Sequence, residues 1–145
     1  MVKVLIKKLD PAVEIPNYKT TGASGMDLMA FIKQPIKLPS KSSCLVPTGL
    51  SVAFSNDCEI QIRPRSGLAA KNNISVLNTP GTIDSDYRGE IKIILFNHGN
   101  SEFVINNQDR IAQMVLMPIH KIELEEVKSL PDTMRGKGGF GSTGK

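Results

Sequence analysis

The sequence lacks tryptophan, and aromatic residues make up only 5% of its 145 residues. A core without large rings has to be built from aliphatic side chains. No stretch approaches the ~20 apolar residues of a membrane-spanning helix. The first ten residues mix lysine with apolar residues rather than forming the apolar centre of a signal peptide. We therefore expect a cytoplasmic protein without a membrane partner.

Cysteine and histidine are also scarce. Cys44 and Cys58 form no Cys-x-x-Cys pair, and His98 and His120 lie on separate segments. This pattern predicts free thiols in a reduced protein and argues against a metal site built from cysteine or histidine. The formal net charge is +4, and the charged residues form no block of like charges. Such a surface suits a small phosphorylated ligand better than a nucleic acid.

Short apolar segments separated by turn-forming residues recur along the whole chain. Residues 2–7 alternate in period two, and similar short runs occur at 36–38, 44–46, 50–54 and 103–105. These lengths and spacings are typical of strands, whereas no helix longer than about two turns is predicted. A chain of this length fits one domain. We predict an all-β barrel or sandwich of about ten short strands.

Two polar residues interrupt apolar runs. Asp27 is expected either to accept hydrogen bonds from nearby backbone donors or to face a cation. Gln113 is expected either to be held within a strand ladder or to point into a pocket.

Residues 121–130 fit both a strand and a helix, and we favour a strand.

Residues 63–71 contain arginine, proline, serine and glycine before an alanine pair that favours a helical turn. If Ser66 and Gly67 open that turn, their backbone N–H groups and Arg65 converge where an anion can bind. The alternative is an N-capped surface turn beside an arginine.

The stretch 78–92 places two aspartates, a tyrosine and an arginine between two apolar runs. We interpret it as a hairpin that holds Asp84 beside a rigid backbone edge, as a catalytic carboxylate requires. The alternative is a solvated acidic turn.

Five glycines occur between Gly136 and Gly144. Their backbone entropy predicts a flexible arm over residues 131–145, following a domain over residues 1–130. The letters of two phosphate-binding motifs occur here, but neither has the strand before it and the helix after it that such motifs need. An arm of this composition can still wrap an anion, and Phe140 can stack on a base. The alternative is a plain flexible tail.

Five ordered segments begin at Ala23 (ASGMDLMA), Arg63 (RPRSGLA), Gly81 (GTIDSDYRGEI), Arg110 (RIAQM) and Arg135 (RGKGGFGSTG). Together these segments resemble the trimeric dUTP pyrophosphatases, or dUTPases. Met29 departs from the polar or basic residue that many members carry there. The resemblance implies a jelly-roll-like β fold with one short helix and a homotrimer with active sites shared between subunits. It also implies Mg²⁺-dependent hydrolysis of dUTP to dUMP and pyrophosphate.

The resemblance implies roles by position. Asp84 is similar to the carboxylate that activates water for attack on the α-phosphorus. Asp27 is similar to a carboxylate that binds Mg²⁺ through water. The residues similar to phosphate contacts are Arg65, Ser66, Gly67, Gln113, Arg135 and Ser142. Those similar to contacts with uracil and deoxyribose are Asn78, Gly81, Tyr87, Ile91, Lys92 and Phe140.

Two other functions fit parts of the pattern. A dCTP deaminase shares the fold class in the resemblance, although the complete segment from Arg135 argues for a dUTPase. A non-catalytic nucleotide sensor would bind the same ligand without turning it over.

Overall fold

The structure is a computed structural model and describes residues 2–139. Within that range it contains eleven strands and one short helix. The strands are β1 (Leu5–Lys8), β2 (Met26–Met29), β3 (Ile36–Leu38), β4 (Ser43–Pro47), β5 (Leu50–Ala53), β6 (Cys58–Arg63), β7 (Ile74–Val76), β8 (Gly81–Ile83), β9 (Lys92–Asn97), β10 (Phe103–Ile105) and β11 (Arg110–Pro118). The helix is α1 (Ser66–Asn72). The short apolar runs of the sequence therefore form the predicted strands.

The strands form four antiparallel sheets, in the orders β1-β5, β10-β3, β2-β11-β6-β8 and β4-β9-β7. This arrangement confirms the all-β class and the single short helix. The prediction of a barrel is corrected, because none of these sheets closes on itself. Each has two edge strands, such as β2 and β8 in the four-stranded sheet.

The core is aliphatic, as the absence of tryptophan predicts. Its fully buried side chains come from most strands and include Leu28, Leu38, Val46, Ile74, Ile93, Leu95 and Ile105. Phenylalanine rings pack only at its margin, where Phe31, Phe54 and Phe103 are partly buried. Along β6, buried residues alternate with half-buried ones, which is the period-two pattern expected of a strand.

Both cysteines are free, as predicted. Cys58 is buried at the start of β6, and Cys44 is half-buried in β4. Burial raises the pKa of each thiol, and at Cys58 the neighbouring Asp57 raises the pKa further. Both groups are therefore neutral thiols near neutral pH.

Strand β6 positions the candidate site. It pairs with β11 on one side, where Arg63 lies opposite Gln113. On its other side it pairs with β8, where Ile60 lies opposite Ile83. Side chains that follow the end of β6 and side chains that follow the end of β8 therefore lie at opposite ends of the same sheet.

The stretch 78–92 is more elaborate than the predicted hairpin. Strands β7 and β9 do pair antiparallel, with Ile74 opposite Asn97. Between them, however, the chain forms β8, which joins β6 in a different sheet. The connection thus bridges two sheets, and this fixes the loop after Ile83 at both of its ends.

No helix or strand is present from residue 119 to residue 139. The prediction of a strand over 121–130 is wrong, because its apolar residues find no sheet edge to pair with. Ile122 and Leu124 are 79% and 87% exposed. Among residues 2–139, no helix has the length and apolar character needed to cross a membrane.

Candidate functional site

Asp27 lies at the centre of a cationic corner, which we define as Asp27, Arg65, Arg110 and Gln113. Its Oδ1 accepts a hydrogen bond of 2.8 Å from Arg65 Nε, and Arg110 Nη1 lies 3.5 Å from Oδ2. Arg65 Nη1 also donates to the Arg110 carbonyl oxygen at 3.1 Å. Of the two possibilities for this carboxylate, the structure shows the one in which it faces cations.

Helix α1 begins directly beside this corner. Arg65 precedes it in extended conformation, and no side chain within the described residues caps it. The first bond of the helix runs from the Ala69 N–H to the Arg65 carbonyl oxygen. The N–H groups of Ser66 and Gly67 come before that bond, in the exposed first turn. The N-capped alternative is therefore excluded for the described residues.

Gln113 belongs to the same corner. It lies opposite Asp27 on β2 and opposite Arg63 on β6. Its Nε2 donates to the Pro64 carbonyl oxygen at 3.0 Å, which ties β11 to the loop that carries Arg65. A Cβ added at Gly25, the residue before β2, would lie 2.8 Å from Gln113 Oε1, so a larger residue there would displace this amide.

Asp84 follows β8 and lines an open cleft of about 380 Å³. Tyr87 and Lys92 line the same cleft, with Leu45 and Ile94 as its apolar wall. The carboxylate of Asp84 is exposed and makes no hydrogen bond or ion pair within residues 2–139. Its backbone is held, because its carbonyl oxygen accepts the Tyr87 N–H at 3.1 Å. The turn is thus ordered while the carboxylate faces open space.

The predicted base-contacting residues Asn78 and Gly81 lie together. A Cβ added at Gly81 would be 3.3 Å from Asn78 Nδ2 and 3.3 Å from Ile62 Cβ. Substitution of this glycine would therefore push against both neighbours. Gly81 is the first residue of β8, three positions before Asp84.

Ile91 differs from its neighbours, since it is fully buried. Its N–H donates to the Leu50 carbonyl oxygen at 2.8 Å, and its carbonyl oxygen accepts the hydroxyl of Thr48 at 2.6 Å. A direct contact of the Ile91 backbone with uracil would require one of these bonds to be replaced. Lys92, by contrast, is exposed at the start of β9.

Arg135 makes no hydrogen bond or ion pair with the predicted site residues that lie within residues 2–139. Its Nε donates to the Gly138 carbonyl oxygen at 2.9 Å within its own exposed turn. Ser142 and Phe140, the other two residues predicted for the arm, lie outside the described residues.

The structure brings most of the predicted site residues together in two groups rather than one. Asp27, Arg65, Ser66, Gly67 and Gln113 meet at one end of β6, and the cleft with Asp84 lies at the other. Because Ile83 is opposite Ile60, Asp84 lies beside the Glu59 end of β6. The extended chain from Glu59 to Arg65, at about 3.3 Å per residue, separates the two groups by roughly 20 Å.

Sequence reasoning missed two residues that contact these groups. Arg110 contacts Asp27 across 83 positions of sequence, and only the pairing of β2 with β11 brings them together. Glu90 accepts the Tyr87 hydroxyl through its carbonyl oxygen at 2.9 Å and lies 3.7 Å from Lys92 Nζ. For Glu90 a local signal existed, since it stands between two predicted contacts.

Oxygen ligands for a cation are few. Among residues 2–139, no group of three or more histidine, cysteine, aspartate or glutamate side chains is placed to hold a metal ion. Asp27 and Asp84 each present one carboxylate. A metal at this site would therefore take most of its ligands from water or from a bound substrate.

Comparison with known proteins identifies the family. The dUTPase family model matches residues 12–144. The deoxyuridine 5'-triphosphate nucleotidohydrolase of Fusobacterium nucleatum is 53% identical over 146 residues, covering 100% of both chains. That of Treponema denticola is 52% identical over 137 residues, covering 94% of this chain and 95% of the relative.

Solved structures agree in fold. A variant of the Staphylococcus bacteriophage 80alpha dUTPase with dUpNHpp superposes with a TM-score of 0.88 at 21% identity, covering 99% of both chains. A variant dUTPase from phage phi11 of S. aureus, in which a structural Mg(II) ion is coordinated, gives a TM-score of 0.81 at 18% identity. It covers 90% of this chain and 99% of its own. From the family model and the full-length relatives, the chain belongs to the dUTPase family.

Proposed function

We propose that this chain hydrolyses dUTP to dUMP and pyrophosphate, which limits uracil in DNA and supplies dUMP for thymidylate synthesis. The observation that supports it best is the cleft shared by Asp84, Tyr87 and Lys92. It places a free carboxylate next to an aromatic ring and a cation on an ordered turn. Family membership supplies the substrate, since the relatives are named for deoxyuridine 5'-triphosphate.

Asp84 is the proposed catalytic base. A carboxylate without a protein partner can accept a proton from water and orient it towards the α-phosphorus. The cleft leaves room for that water because the side chain is exposed. Breaking the bond between the α-phosphorus and the bridging oxygen releases pyrophosphate.

The cationic corner is the proposed phosphate site. A triphosphate repels an oxygen nucleophile until its charge is neutralised. Arg65 and the N–H groups of Ser66 and Gly67 supply positive charge and donors, and Gln113 adds an amide. On the arm, Arg135 and Ser142 are proposed to contact the terminal phosphates.

The other predicted contacts read the base and the sugar. Tyr87 is proposed to lie beneath deoxyribose and to exclude a 2'-hydroxyl by its ring. Asn78 and the backbone near Gly81 and Lys92 are proposed to read uracil, with Phe140 covering the base. The bonds of Ile91 inside the fold favour a supporting contribution, in which it holds the strand that presents Lys92.

Mg²⁺ is the proposed cofactor, and the residues present fit it. This ion keeps several waters and is usually bound through one or two carboxylates together with substrate phosphates. Asp27 would hold it through water, beside the phosphate site. When bound, it would withdraw negative charge from the phosphate oxygens.

A homotrimer with shared active sites is the proposed assembly. The two groups of residues lie roughly 20 Å apart along β6, at about 3.3 Å per residue. A single triphosphate could contact both if the groups came from different subunits. A domain over 1–130 with a closing arm over 131–145 fits this proposal, since the last strand ends at Pro118. Cytoplasmic location remains a prediction.

Incubation of the purified protein with Mg²⁺ and dUTP, dCTP, dTTP or UTP tests the proposal, with pyrophosphate and ammonia as products to measure. We expect pyrophosphate from dUTP and little product from the other three. Ammonia from dCTP would identify a deaminase instead. Tight binding of dUTP without product would identify a nucleotide sensor.

A further inference from the structure

We infer that Glu90 is a positioning residue that fixes Tyr87 and Lys92 relative to each other and so sets selectivity at the sugar and the base. The inference rests on the proposed function for its substrates. Glu90 lies in the loop before β9, and its side chain is 21% exposed. It lines the same cleft as the two residues it contacts.

Both oxygens of the Glu90 carboxylate have partners. Oε1 accepts the Gly49 N–H at 2.9 Å, and Oε2 lies 3.7 Å from Lys92 Nζ. The first contact crosses 41 positions of sequence, from the cleft to the turn between β4 and β5. The carboxylate therefore links the side chain of Lys92, whose backbone is proposed to read uracil, to the main body of the fold.

The backbone of Glu90 holds the tyrosine. Tyr87 donates its hydroxyl hydrogen to the Glu90 carbonyl oxygen at 2.9 Å. The ring lies directly over Gly89, where an added Cβ would be 2.5 Å from Tyr87 Cζ. Any movement of residues 89–90 consequently moves the ring proposed to exclude a 2'-hydroxyl.

Gly49, to which Glu90 is attached, is buried and closely surrounded. Its φ is +70°, and an added Cβ would lie 2.4 Å from Val13 Cγ2, so only glycine fits. Its carbonyl oxygen accepts the Leu9 N–H at 2.8 Å. Glu90 thus attaches the exposed loop before β9 to a buried turn of the fold.

Selectivity depends on such attachment, since a ring that can move away admits a hydroxyl it would otherwise exclude. Glu90→Ala removes the bond to Gly49 and the charge beside Lys92. Glu90→Gln keeps an oxygen that can accept the Gly49 N–H but removes the charge. The two variants therefore separate the anchor from the ion pair.

The kinetic test compares kcat/KM for dUTP, UTP and dTTP in the wild type, E90A and E90Q, with the exposed Glu102→Ala as control. We expect E90A to lower the preference for dUTP over UTP about tenfold, the effect of one lost bond to a charged group. E90Q should retain the preference over UTP, and Glu102→Ala should match the wild type. An unchanged preference in E90A, with a wild type that hydrolyses dUTP, overturns the inference and leaves the function intact.

A second readout needs no activity. The chain has two tyrosines and no tryptophan, so Tyr87 is the only strong fluorophore in a Tyr18→Phe background. We expect acrylamide to quench Tyr87 more strongly in E90A than in E90Q, which should match the background protein. Equal quenching in all three contradicts the inference, even if the wild type has no activity. Should E90A fail to fold, Glu90→Asp, whose side chain is one methylene shorter, replaces it in both tests.

Discussion

The cationic corner and the Asp84 cleft are built in opposite ways. In the corner, Asp27 and Arg65 are mostly buried, with side chains 20% and 25% exposed, and each bonds to the other. In the cleft, the Asp84 carboxylate is exposed and has no partner within residues 2–139. Groups that bind a fixed charge gain from being held in advance, whereas a base that takes a proton from water needs a free carboxylate.

Removing the base should have the largest effect. We expect Asp84→Asn to bind dUTP normally and to lose turnover by about 10²- to 10⁴-fold, because the amide accepts no proton. Single-turnover kinetics and equilibrium binding of dUTP measure the two quantities. Asp86→Asn, an exposed carboxylate in the same turn, is the matched control. Near-normal turnover in Asp84→Asn would reduce the residue to a structural turn.

Removing the arm should lower the activity almost as strongly. A chain that ends at Met134 retains every strand and the helix, so we expect its thermal unfolding to match that of the full chain. Its activity should fall about 10²-fold, as expected for the loss of donors to a charged transition state. Calorimetry and pyrophosphate release measure both properties. Full activity in the truncated chain would make the arm a plain tail.

Removing the ring of Tyr87 should change selectivity more than rate. We expect Tyr87→Ala to improve the use of UTP relative to dUTP about tenfold, since a hydroxyl then fits where the ring stood. The ratio of the two kcat/KM values measures this effect. Tyr18→Ala, a change to the other tyrosine, controls for general damage. An unchanged ratio would remove Tyr87 from contact with the sugar.

Substitution of Arg110 in the cationic corner should have the smallest effect on activity. Arg110 is 54% exposed and contacts Asp27 at 3.5 Å, so the pair contributes about 1 kcal/mol or less. Without Arg110, Arg65 is the remaining arginine paired with Asp27, so Asp27 competes more strongly with the substrate phosphates for Arg65. We therefore expect Arg110→Ala to raise the KM for dUTP up to about fivefold. Arg110→Lys should recover part of the difference. A KM equal to that of the wild type in Arg110→Ala would show that Arg65 needs no second arginine.

The comparison also shows what a sequence can reveal. Short apolar runs between turn-forming residues predicted β3 and β10 at their observed bounds, because such runs are typical of short strands. The pairing of β8 with β6, and of Arg110 with Asp27, depends on contacts between distant segments that no local pattern encodes. Residues 121–130 show the same limit, since alternation indicates a strand only where a sheet edge is available.

Roles within the site followed from motif resemblance, whereas their grouping did not. Nothing in the order of the segments indicates that Asp84 and Arg65 lie at opposite ends of one strand. That separation comes from the antiparallel register of β6 with β8. Because this register places the two groups far apart within one chain, it supports the expectation that each active site is shared between subunits.

Subunit complementation tests this shared site most directly. Asp84→Asn and Arg65→Ala chains are purified separately, shown to be inactive, then unfolded together and refolded as an equal mixture. If each site takes Asp84 from one subunit and Arg65 from another, about a quarter of the sites in randomly mixed trimers are intact. We therefore predict that the mixture recovers about a quarter of the wild-type activity. A mixture that forms mixed oligomers yet stays inactive would contradict the account.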